Sequence, residues 1–441
     1  MKPAAQIQAS IELVDDVMES AFPADRIMAN YFRARRYIGS KDKAAISEYL
    51  YTVLRNRLAY EYLLKEQELP VNGRFLLAAM LRANSTDLAL GKSDLQEFYN
   101  GEGYGPKPFS SPALESLNKI DTTDLEQAPL NVQLNVPEWL APKLQSALGE
   151  RYASEMRASN QRASTDIRVN LLKSDVDAVF NALRSKGFEV EKAALSPWAI
   201  RFNSRVALFN LESFKQGRFE IQDQGSQILA LLSKVKAGDK VVDFCAGAGG
   251  KTLALAAMMQ NKGTLYACDV HTKRLEQLAK RSKRAGAHNI RVHTLSSEND
   301  KWVKKHRSMA DVVLIDAPCS GTGTWRRSPD SRWNLQPENL QNLVALQQSI
   351  LQSASRLVKP GGRLLYATCS LLNEENEQQL STFMANNDDF ELAEIALPDS
   401  LAANPSAIVH KGHELRLFPG LSDTDGFYVA SLKRKQSLAI K

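Results

Sequence analysis

Apolar residues recur at three- and four-residue spacing through much of the first hundred residues, as in ASIELVDDVMESAF and AAISEYLYTVLRNRLAYEYLL. This spacing places the apolar side chains on one face of a helix and predicts a helical amino-terminal region. Residues 100–112, rich in glycine, proline and serine, predict a linker or a long loop. A further helical segment is predicted over about residues 137–158.

From residue 166 the pattern changes to short apolar runs separated by turns. DIRVNLL, WAIRFN and FEIQD, together with the helical stretch DVDAVFNALRSKG, predict a small α+β unit over residues 166–223. KVVDFCA, GTLYACD, ADVVLIDA and GGRLLYATCS then read as strands that alternate with helices. This alternation predicts a parallel sheet with right-handed crossovers, in which ligands bind at the carboxyl ends of the strands.

Composition and charge narrow the class of protein. With 441 residues, of which 44% are apolar and 24% charged, the chain is expected to be globular and to contain two or three domains. Acidic residues interrupt the first apolar pattern, and no run of about 18 apolar residues occurs, so neither a signal peptide nor a membrane span is expected. Lys and Arg total 56 against 50 for Asp and Glu, which permits a polyanionic partner without requiring one.

A glycine-rich stretch, VVDFCAGAGGKT at residues 241–252, links a predicted strand to a predicted helix. A Walker A loop would need a glycine where Cys245 stands, and a dinucleotide fingerprint would need its third glycine where Thr252 stands. The remaining interpretation is a loop for S-adenosylmethionine (SAM), whose amino acid part lies over a tight backbone turn. Asp269, at the end of the next strand and 22 residues after Gly247, can accept both ribose hydroxyls and favours this interpretation.

All four cysteines lie at or next to predicted strand ends: Cys245, Cys268, Cys319 and Cys369. Their spacing contains no C-x-x-C pair, which argues against a zinc site, and without a secretory signal a disulfide framework is not expected. Most free cysteines are small buried apolar residues, and this is the interpretation for Cys245 and Cys268. Cys319 in PCSG and Cys369 in TCS instead share a setting, each followed by serine, which indicates chemistry.

Methylation of a pyrimidine at carbon 5 is a reaction that two thiols and a carboxylate beside a methyl donor would suit. Carbon 5 is a poor nucleophile until a thiolate adds to carbon 6, which makes the ring an enamine-like species. A base must afterwards remove the carbon 5 proton so that the thiol can leave. Asp316, three residues before Cys319, supplies the carboxylate.

Five motifs, DAPCSGTG, YATCS, RRSPD, CAGAGGKT and GRFEIQDQGSQ, together resemble the Sun-type RNA cytosine-C5 methyltransferases. The resemblance covers most of the chain and is most specific between about residues 217 and 370. It implies that Cys369 is the nucleophile and that Cys319 assists elimination. It further implies that Asp316 holds the cytosine amino group and ring nitrogen, that Lys251 polarises the base or its surroundings, and that Asp269 binds the ribose.

The resemblance also implies two sets of contacts. The expected SAM contacts are Cys245, Ala246, Gly247, Ala248, Gly249, Gly250, Lys251, Asp269, Glu298 and Asp316, and the expected substrate contacts are Pro318, Arg326 and Asp330. Glu298 is included because the family has an aspartate about 19 residues before the acid of D-A-P-C. This chain has Ser297 there, with Glu298 beside it.

The implied fold is multidomain. An α-helical, NusB-like, RNA-binding domain would span residues 1–130, linker helices and a small α+β RNA-binding subdomain residues 131–223, and an α/β Rossmann-like SAM-dependent methyltransferase domain residues 224–441. The implied protein is a cytoplasmic monomer without a metal site. It would act on structured RNA, methylating a cytosine of 16S ribosomal RNA through a covalent cysteine–cytosine adduct. A transfer RNA target, and a non-catalytic RNA-binding ribosome assembly factor, stay open as alternatives.

Overall fold

The computed structural model describes residues 1–83, 95–204 and 206–436. The chain divides into two compact units, which we call the helical unit (Met1–Arg162 and Trp325–Gln336) and the sheet unit (Ala163–Thr324 and Pro337–Lys441). The helices between residues 131 and 162 therefore group with the amino-terminal helices, and the predicted α+β segment groups with the predicted methyltransferase domain. Parts of three predicted regions, at residues 84–94, 205 and 437–441, lie outside the described residues.

The helical unit is built from amphipathic helices, as the spacing of apolar residues predicts. In the first helix Ile7, Ile11 and Val14 are buried and lie on one face. Among the described helices of the chain, none combines the length and apolar composition needed to cross a membrane. Numbered along the whole chain, the α-helices of this unit are α1 Pro3–Met18, α2 Ala24–Ala34, α3 Ser40–Arg55, α4 Arg57–Glu66, α5 Gly73–Ala83, α6 Leu95–Phe98, α7 Ser111–Asn118, α8 Leu130–Gln133, α9 Ala141–Leu148, α10 Tyr152–Ser159 and α17 Ser331–Asn334.

The sheet unit begins with a small four-stranded sheet, the predicted α+β unit. Its strands are β1 Thr165–Val169, β2 Val190–Lys192, β3 Ala199–Phe202 and β4 Phe219–Ile221, in the order β2-β3-β1-β4 and all antiparallel. Two helices, α11 Val176–Arg184 and α12 Glu212–Lys215, accompany it. Ile167, Val169 and Phe219 are buried in its core with Val179 and Leu183 of α11.

A nine-stranded sheet forms the rest of the sheet unit, in the order β11-β12-β13-β9-β8-β5-β6-β7 with β10 beside β13. Its strands are β5 Lys240–Asp243, β6 Thr264–Asp269, β7 Ile290–Thr294, β8 Ala310–Asp316, β9 Val358–Thr368, β10 Phe390–Leu392, β11 Val409–Lys411, β12 Glu414–Leu417 and β13 Phe427–Arg434. Its helices are α13 Gln224–Leu232, α14 Gly250–Met258, α15 Thr272–Ala285, α16 Lys301–Lys305, α18 Pro337–Ser355, α19 Glu377–Ala385, α20 Asp399–Ala402 and α21 Pro419–Ser422.

The predicted parallel sheet is confirmed for five adjacent strands, from β9 to the edge strand β7. Strands β5 to β9 pair in parallel, whereas β13 runs antiparallel to β9, and β10, β11 and β12 pair antiparallel as well. The parallel strand β7 escapes the sequence pattern because its residues, IRVHT, are half-buried or exposed. Since β5, β6, β8 and β9 are parallel and adjacent in the order β6-β5-β8-β9, their carboxyl ends meet at one edge of the sheet.

Candidate active site

A cavity of about 610 Å³ opens at the carboxyl ends of β5, β6, β8 and β9. That volume falls within the range of pockets that enclose a small molecule. The residues predicted to bind SAM line this cavity, with Gly249 as the exception: Cys245, Ala246, Gly247, Ala248, Gly250, Lys251, Asp269, Glu298 and Asp316. Pro318, Cys319 and Cys369 line it too, so that one cavity brings the predicted cofactor residues and both thiols together.

The glycine loop between β5 and α14 forms one wall. Gly247 has φ +54° and Gly249 has φ +84°, values that residues with a side chain rarely adopt. Gly249 faces away from the cavity, where a Cβ atom would lie 2.1 Å from Cδ1 of Leu278. The second glycine is therefore needed for close packing of α15 against the loop, and the first for the turn of the backbone.

Asp269 is the carboxylate that faces this loop. Its Oδ2 accepts a hydrogen bond from the amide of Gly247 and its Oδ1 one from the amide of His271, both at 2.8 Å. These bonds fix the orientation of the carboxylate at the cavity wall, while each oxygen keeps a further lone pair. A pair of vicinal hydroxyl groups can bind to such a carboxylate, which fits the ribose of an adenosine-containing cofactor.

Beyond Asp269 the cavity becomes partly apolar, and Val270, Leu346 and Ile350 line it. Val270 and Leu346 are large apolar residues with 48% and 37% of their surface exposed, a suitable surface for a flat aromatic ring. Glu298 lies in the same wall and accepts a hydrogen bond from Ser349 at 2.7 Å. This bond, which favours the charged form, lowers the pKa of Glu298.

Lys251 and Asp316 form an ion pair at the centre of the cavity, with 2.6 Å between Nζ and Oδ2. Burial by itself lowers the pKa of Lys251, but the Asp316 carboxylate outweighs this effect and the pKa is raised. Lys251 therefore stays charged at neutral pH. The side chain of Asp316 remains 31% exposed, so a ligand can still reach the carboxylate.

The two thiols are neighbours, as predicted for the ends of adjacent strands. The sulfur atoms of Cys319 and Cys369 are 3.3 Å apart, and both residues are only partly buried. The hydrogen bond with Cys369, together with burial, raises the pKa of Cys319 well above its usual value. Cys319 therefore keeps its proton at neutral pH and can donate it to a hydrogen bond with the sulfur of Cys369.

The serines that follow the two cysteines connect the two cysteine loops, which explains why both motifs have serine after cysteine. Ser320 Oγ lies 3.2 Å from Ser370 Oγ, and Thr322 Oγ1 lies 3.3 Å from Ser370 Oγ, so hydroxyl groups connect the two cysteine loops. Cys369 takes part as well, because its carbonyl accepts a hydrogen bond from the amide of Gly323 at 2.9 Å. The loops thereby hold each other, and with them the distance between the thiols.

Glu375 completes this network, and the sequence pattern misses it. Its carboxylate is fully buried and accepts hydrogen bonds from the backbone amide and the hydroxyl of Ser320 and from the side-chain amide of Gln347. Gln347 also donates to the carbonyl of Pro318 at 2.9 Å. The only local signal for this arrangement is the repeated serine, because NEENEQQ by itself is typical of an exposed helix start.

Two predicted substrate contacts, Arg326 and Asp330, belong to the helical unit and are buried in it. Asp330 Oδ2 accepts a hydrogen bond from the amide of Ala24 at 2.9 Å, at the start of α2. Arg332, in the same segment, is fully buried and donates to the carbonyl of Asn135 at 2.7 Å. The structure thus gives this segment packing contacts within the helical unit, and contact of Arg326 and Asp330 with substrate stays a prediction.

Comparison with known proteins agrees with the geometry. Residues 230–433 match the family described as 16S rRNA methyltransferase RsmB/F, and residues 136–208 match an RsmF/B-like ferredoxin-like domain. The chain is 27% identical to a probable ribosomal RNA small subunit methyltransferase B of Bacillus subtilis over 90% of this chain and 92% of that protein. It is 32% identical to the Synechocystis protein of the same name over 70% and 69%. The crystal structure of PH0851 matches with a TM-score of 0.76 and 25% identity, over 98% and 99% of the two chains.

Proposed function

The chain belongs to the RsmB/F family of 16S rRNA methyltransferases, and we propose that it methylates carbon 5 of a cytosine in small-subunit ribosomal RNA, with SAM as the methyl donor. The family match and the relatives confirm the resemblance that the sequence motifs indicate. The observation that carries the finer proposal is the pair of sulfur atoms 3.3 Å apart beside the Lys251–Asp316 ion pair, in the wall of one cavity.

SAM fits the residues of the cavity. Asp269 would bind the ribose hydroxyls, the glycine loop the amino acid part, and the apolar wall at Val270 and Leu346 the adenine, with Glu298 at its edge. When bound, SAM supplies an electrophilic methyl group on a sulfonium sulfur. The strongest support for this fit is Asp269, because both of its oxygens are oriented by backbone amides.

Cys369 would be the nucleophile. Its thiolate adds to carbon 6 of the cytosine, and the electron pair of the carbon 5–carbon 6 double bond becomes available at carbon 5 for bonding to the methyl carbon. A solvent water in the cavity then accepts the carbon 5 proton, the carbon–hydrogen electron pair restores the double bond, and the carbon–sulfur bond breaks with its electron pair going to the Cys369 sulfur. The Cys319 thiol, 3.3 Å away, stabilises the departing Cys369 sulfur by a hydrogen bond.

Asp316 would hold the base during these steps. Its carboxylate can accept hydrogen bonds from the cytosine amino group and from the protonated ring nitrogen, which makes carbon 6 more electrophilic. Lys251, bonded to Oδ2 at 2.6 Å, keeps that carboxylate oriented. Pro318 lies in the cavity wall beside Cys319, where it can contact the ring.

The helical unit would position a folded RNA, and a NusB-like fold is part of this proposal. Arg33, which donates to Asn30 at 3.1 Å, and Arg36 are exposed and can meet phosphates, whereas Arg35 pairs with Glu12 at 3.2 Å and lies over the Tyr31 ring. Phosphate contacts position an RNA without reading its sequence. The target base would be selected in the cavity, to which it must be unstacked. Acting as a monomer in the cytoplasm is part of the same proposal.

Single cysteine variants test the chemistry. With SAM and unmethylated small-subunit ribosomal RNA, Cys369→Ala is expected to give neither methylation nor a covalent protein–RNA adduct on denaturing gels. Cys319→Ala is expected to form the adduct and to release it slowly, so that adduct accumulates. Cys268→Ala is the control, because Cys268 is buried in the core and is not among the residues that line the cavity.

The outcomes separate the alternatives. Adduct with Cys369→Ala and none with Cys319→Ala would reverse the two roles. Methylation of transfer RNA in place of ribosomal RNA would keep the chemistry and change the substrate. Absence of SAM binding and of methylation in the unmodified protein would favour a non-catalytic assembly factor. Bisulfite sequencing of RNA from a deletion strain would identify the cytosine.

A further inference from the structure

We infer that the small four-stranded sheet is part of the cofactor site, because it holds the glycine loop in shape through Arg281, a positioning residue for SAM. This inference rests on the proposed function. It concerns the side of the loop that faces away from the cavity, where α15 lies between the loop and the small sheet.

The contact between α15 and the glycine loop is made by two residues on one helix face. Leu278 and Arg281 are three positions apart and therefore point the same way. Leu278 packs against Gly249, leaving no room for a Cβ atom there. Arg281 donates a hydrogen bond from Nη1 to the carbonyl oxygen of Ala248 at 2.7 Å. Both contacts fall on the central residues of the loop.

The small sheet fixes the position of that guanidinium. Glu220 on β4 is 2% exposed, and its Oε2 accepts from Arg281 at 2.9 Å while its Oε1 accepts from Arg284 at 2.5 Å. A buried carboxylate with two arginine partners holds both side chains in one geometry. At the end of α15, Asn170 donates to the carbonyl of Ala285 at 2.8 Å. Helix α15 is therefore attached to the small sheet at several points.

A second arginine acts on the same loop directly from the small sheet. Arg168 on β1 is buried and donates to the carbonyl oxygen of Gly250 at 2.6 Å. Arg168 also donates to Gln222, which in turn donates to Ser226, one of the residues that line the cavity. The carbonyl groups on both sides of Gly249 are thus held by guanidinium groups anchored in the small sheet.

The loop needs such support. It contains no proline, and Gly247 and Gly249 leave its backbone free to adopt many conformations. Ordering a free loop when the cofactor binds would reduce affinity, whereas a loop that is already held does not incur that cost. Arg281 should therefore strengthen SAM binding without touching SAM.

Arg281→Gln and Arg284→Gln form a matched pair for the test. Each removes one ion pair with Glu220, and only Arg281 also bonds a loop carbonyl. Titration calorimetry with SAM and thermal unfolding are measured on both full-length variants. We expect about tenfold weaker SAM binding for Arg281→Gln and less than a twofold change for Arg284→Gln, with similar losses of thermal stability. Arg281→Lys, which keeps the charge and can still reach the carbonyl, should recover part of the affinity.

Three outcomes decide the inference. An unchanged SAM affinity in Arg281→Gln, or an equal loss in both glutamine variants, would overturn it. If Arg281→Gln does not fold, Arg281→Met, which keeps the aliphatic part of the side chain and has no donor, takes its place, and an affinity equal to that of the unmodified protein would overturn the inference equally. Failure of the unmodified protein to bind SAM would instead overturn the proposed function, and the inference with it.

Discussion

Two buried carboxylates support the two sides of the cavity, and they accept different numbers of hydrogen bonds. Glu375, behind the thiols, accepts from the Ser320 amide, the Ser320 hydroxyl and the Gln347 amide. Asp243, the last residue of β5 before the glycine loop, accepts a hydrogen bond from the Thr252 hydroxyl at 2.7 Å. Its Oδ1 has no partner among the described residues. Burial, which dominates at Asp243, raises its pKa to about 7.

The contrast shows that two similarly buried carboxylates can differ in how fully their oxygens are hydrogen-bonded. Three donors bond both oxygens of Glu375, whereas Asp243 has one bonded oxygen and one without a partner among the described residues. The thiol side can therefore keep a fixed geometry through the reaction. The cofactor side instead carries a group that changes its charge near neutral pH, next to the Lys251–Asp316 pair.

The largest effect is expected for Asp243→Asn, which replaces the carboxylate on the cofactor side by an amide that cannot ionise. Between about pH 4 and 7 the folded protein keeps a proton on Asp243 that the unfolded chain has released, so stability falls as the pH rises through this window. An asparagine does not ionise, so the stability of the variant does not fall in this window. At pH 8 its free energy of unfolding should exceed that of the unmodified protein by up to about 4 kcal/mol. Urea unfolding at pH 4 and pH 8 checks this, and an equal difference at both values would contradict it.

A somewhat smaller effect is expected for Glu375→Gln, which replaces the fully bonded carboxylate on the thiol side by an amide. The new amide group must face the donors of Ser320 or Gln347, and the lost hydrogen bonds should lower the free energy of unfolding by about 3 kcal/mol. The thiols should also lose their fixed separation. A trivalent arsenical that needs two adjacent thiols should bind more weakly, while single-thiol alkylation of Cys369 persists. Glu374→Gln, at the neighbouring half-buried position, serves as the control.

The smallest of these effects is expected for Asp269→Ala, which sharpens the comparison by testing the carboxylate that we propose binds the cofactor. Loss of hydrogen bonds to a charged acceptor should weaken SAM binding by roughly 1.5–3 kcal/mol. Calorimetry on the folded variant measures this, with Asp300→Ala as a control for the loss of an acid that caps the start of α16. An unchanged affinity would remove Asp269 from the cofactor site.

The sequence predicts those parts of the site that lie on strongly apolar strands. Cys319 and Cys369 follow the ends of β8 and β9, whose long apolar runs make the strands easy to recognise, and the adjacency of the two strands follows from the alternation with helices. Asp269 is found by its distance from the glycine loop. The existence of the small α+β unit is likewise recognisable from its short strands.

The sequence does not predict groups whose partners are distant along the chain. The basic residues of α15 are typical of a solvated helix face, yet Arg281 and Arg284 pair with Glu220, more than 60 residues earlier. Glu375 looks exposed because its neighbours are polar, and only the fold buries it. Periodicity reports which residues lie on one face of an element, but not which buried ion that face will meet.

The membership of Trp325–Gln336 in the helical unit has a consequence for biosynthesis. Arg332 and Trp333 supply hydrogen bonds to the carbonyls of Asn135 and Leu54, so the unit is complete only after this segment has emerged. At synthesis rates of about 5–20 residues per second, roughly ten to thirty seconds separate residue 162 from residue 336. A nascent chain therefore holds its first unit unfinished until the small sheet and strands β5 to β8 of the large sheet have been translated.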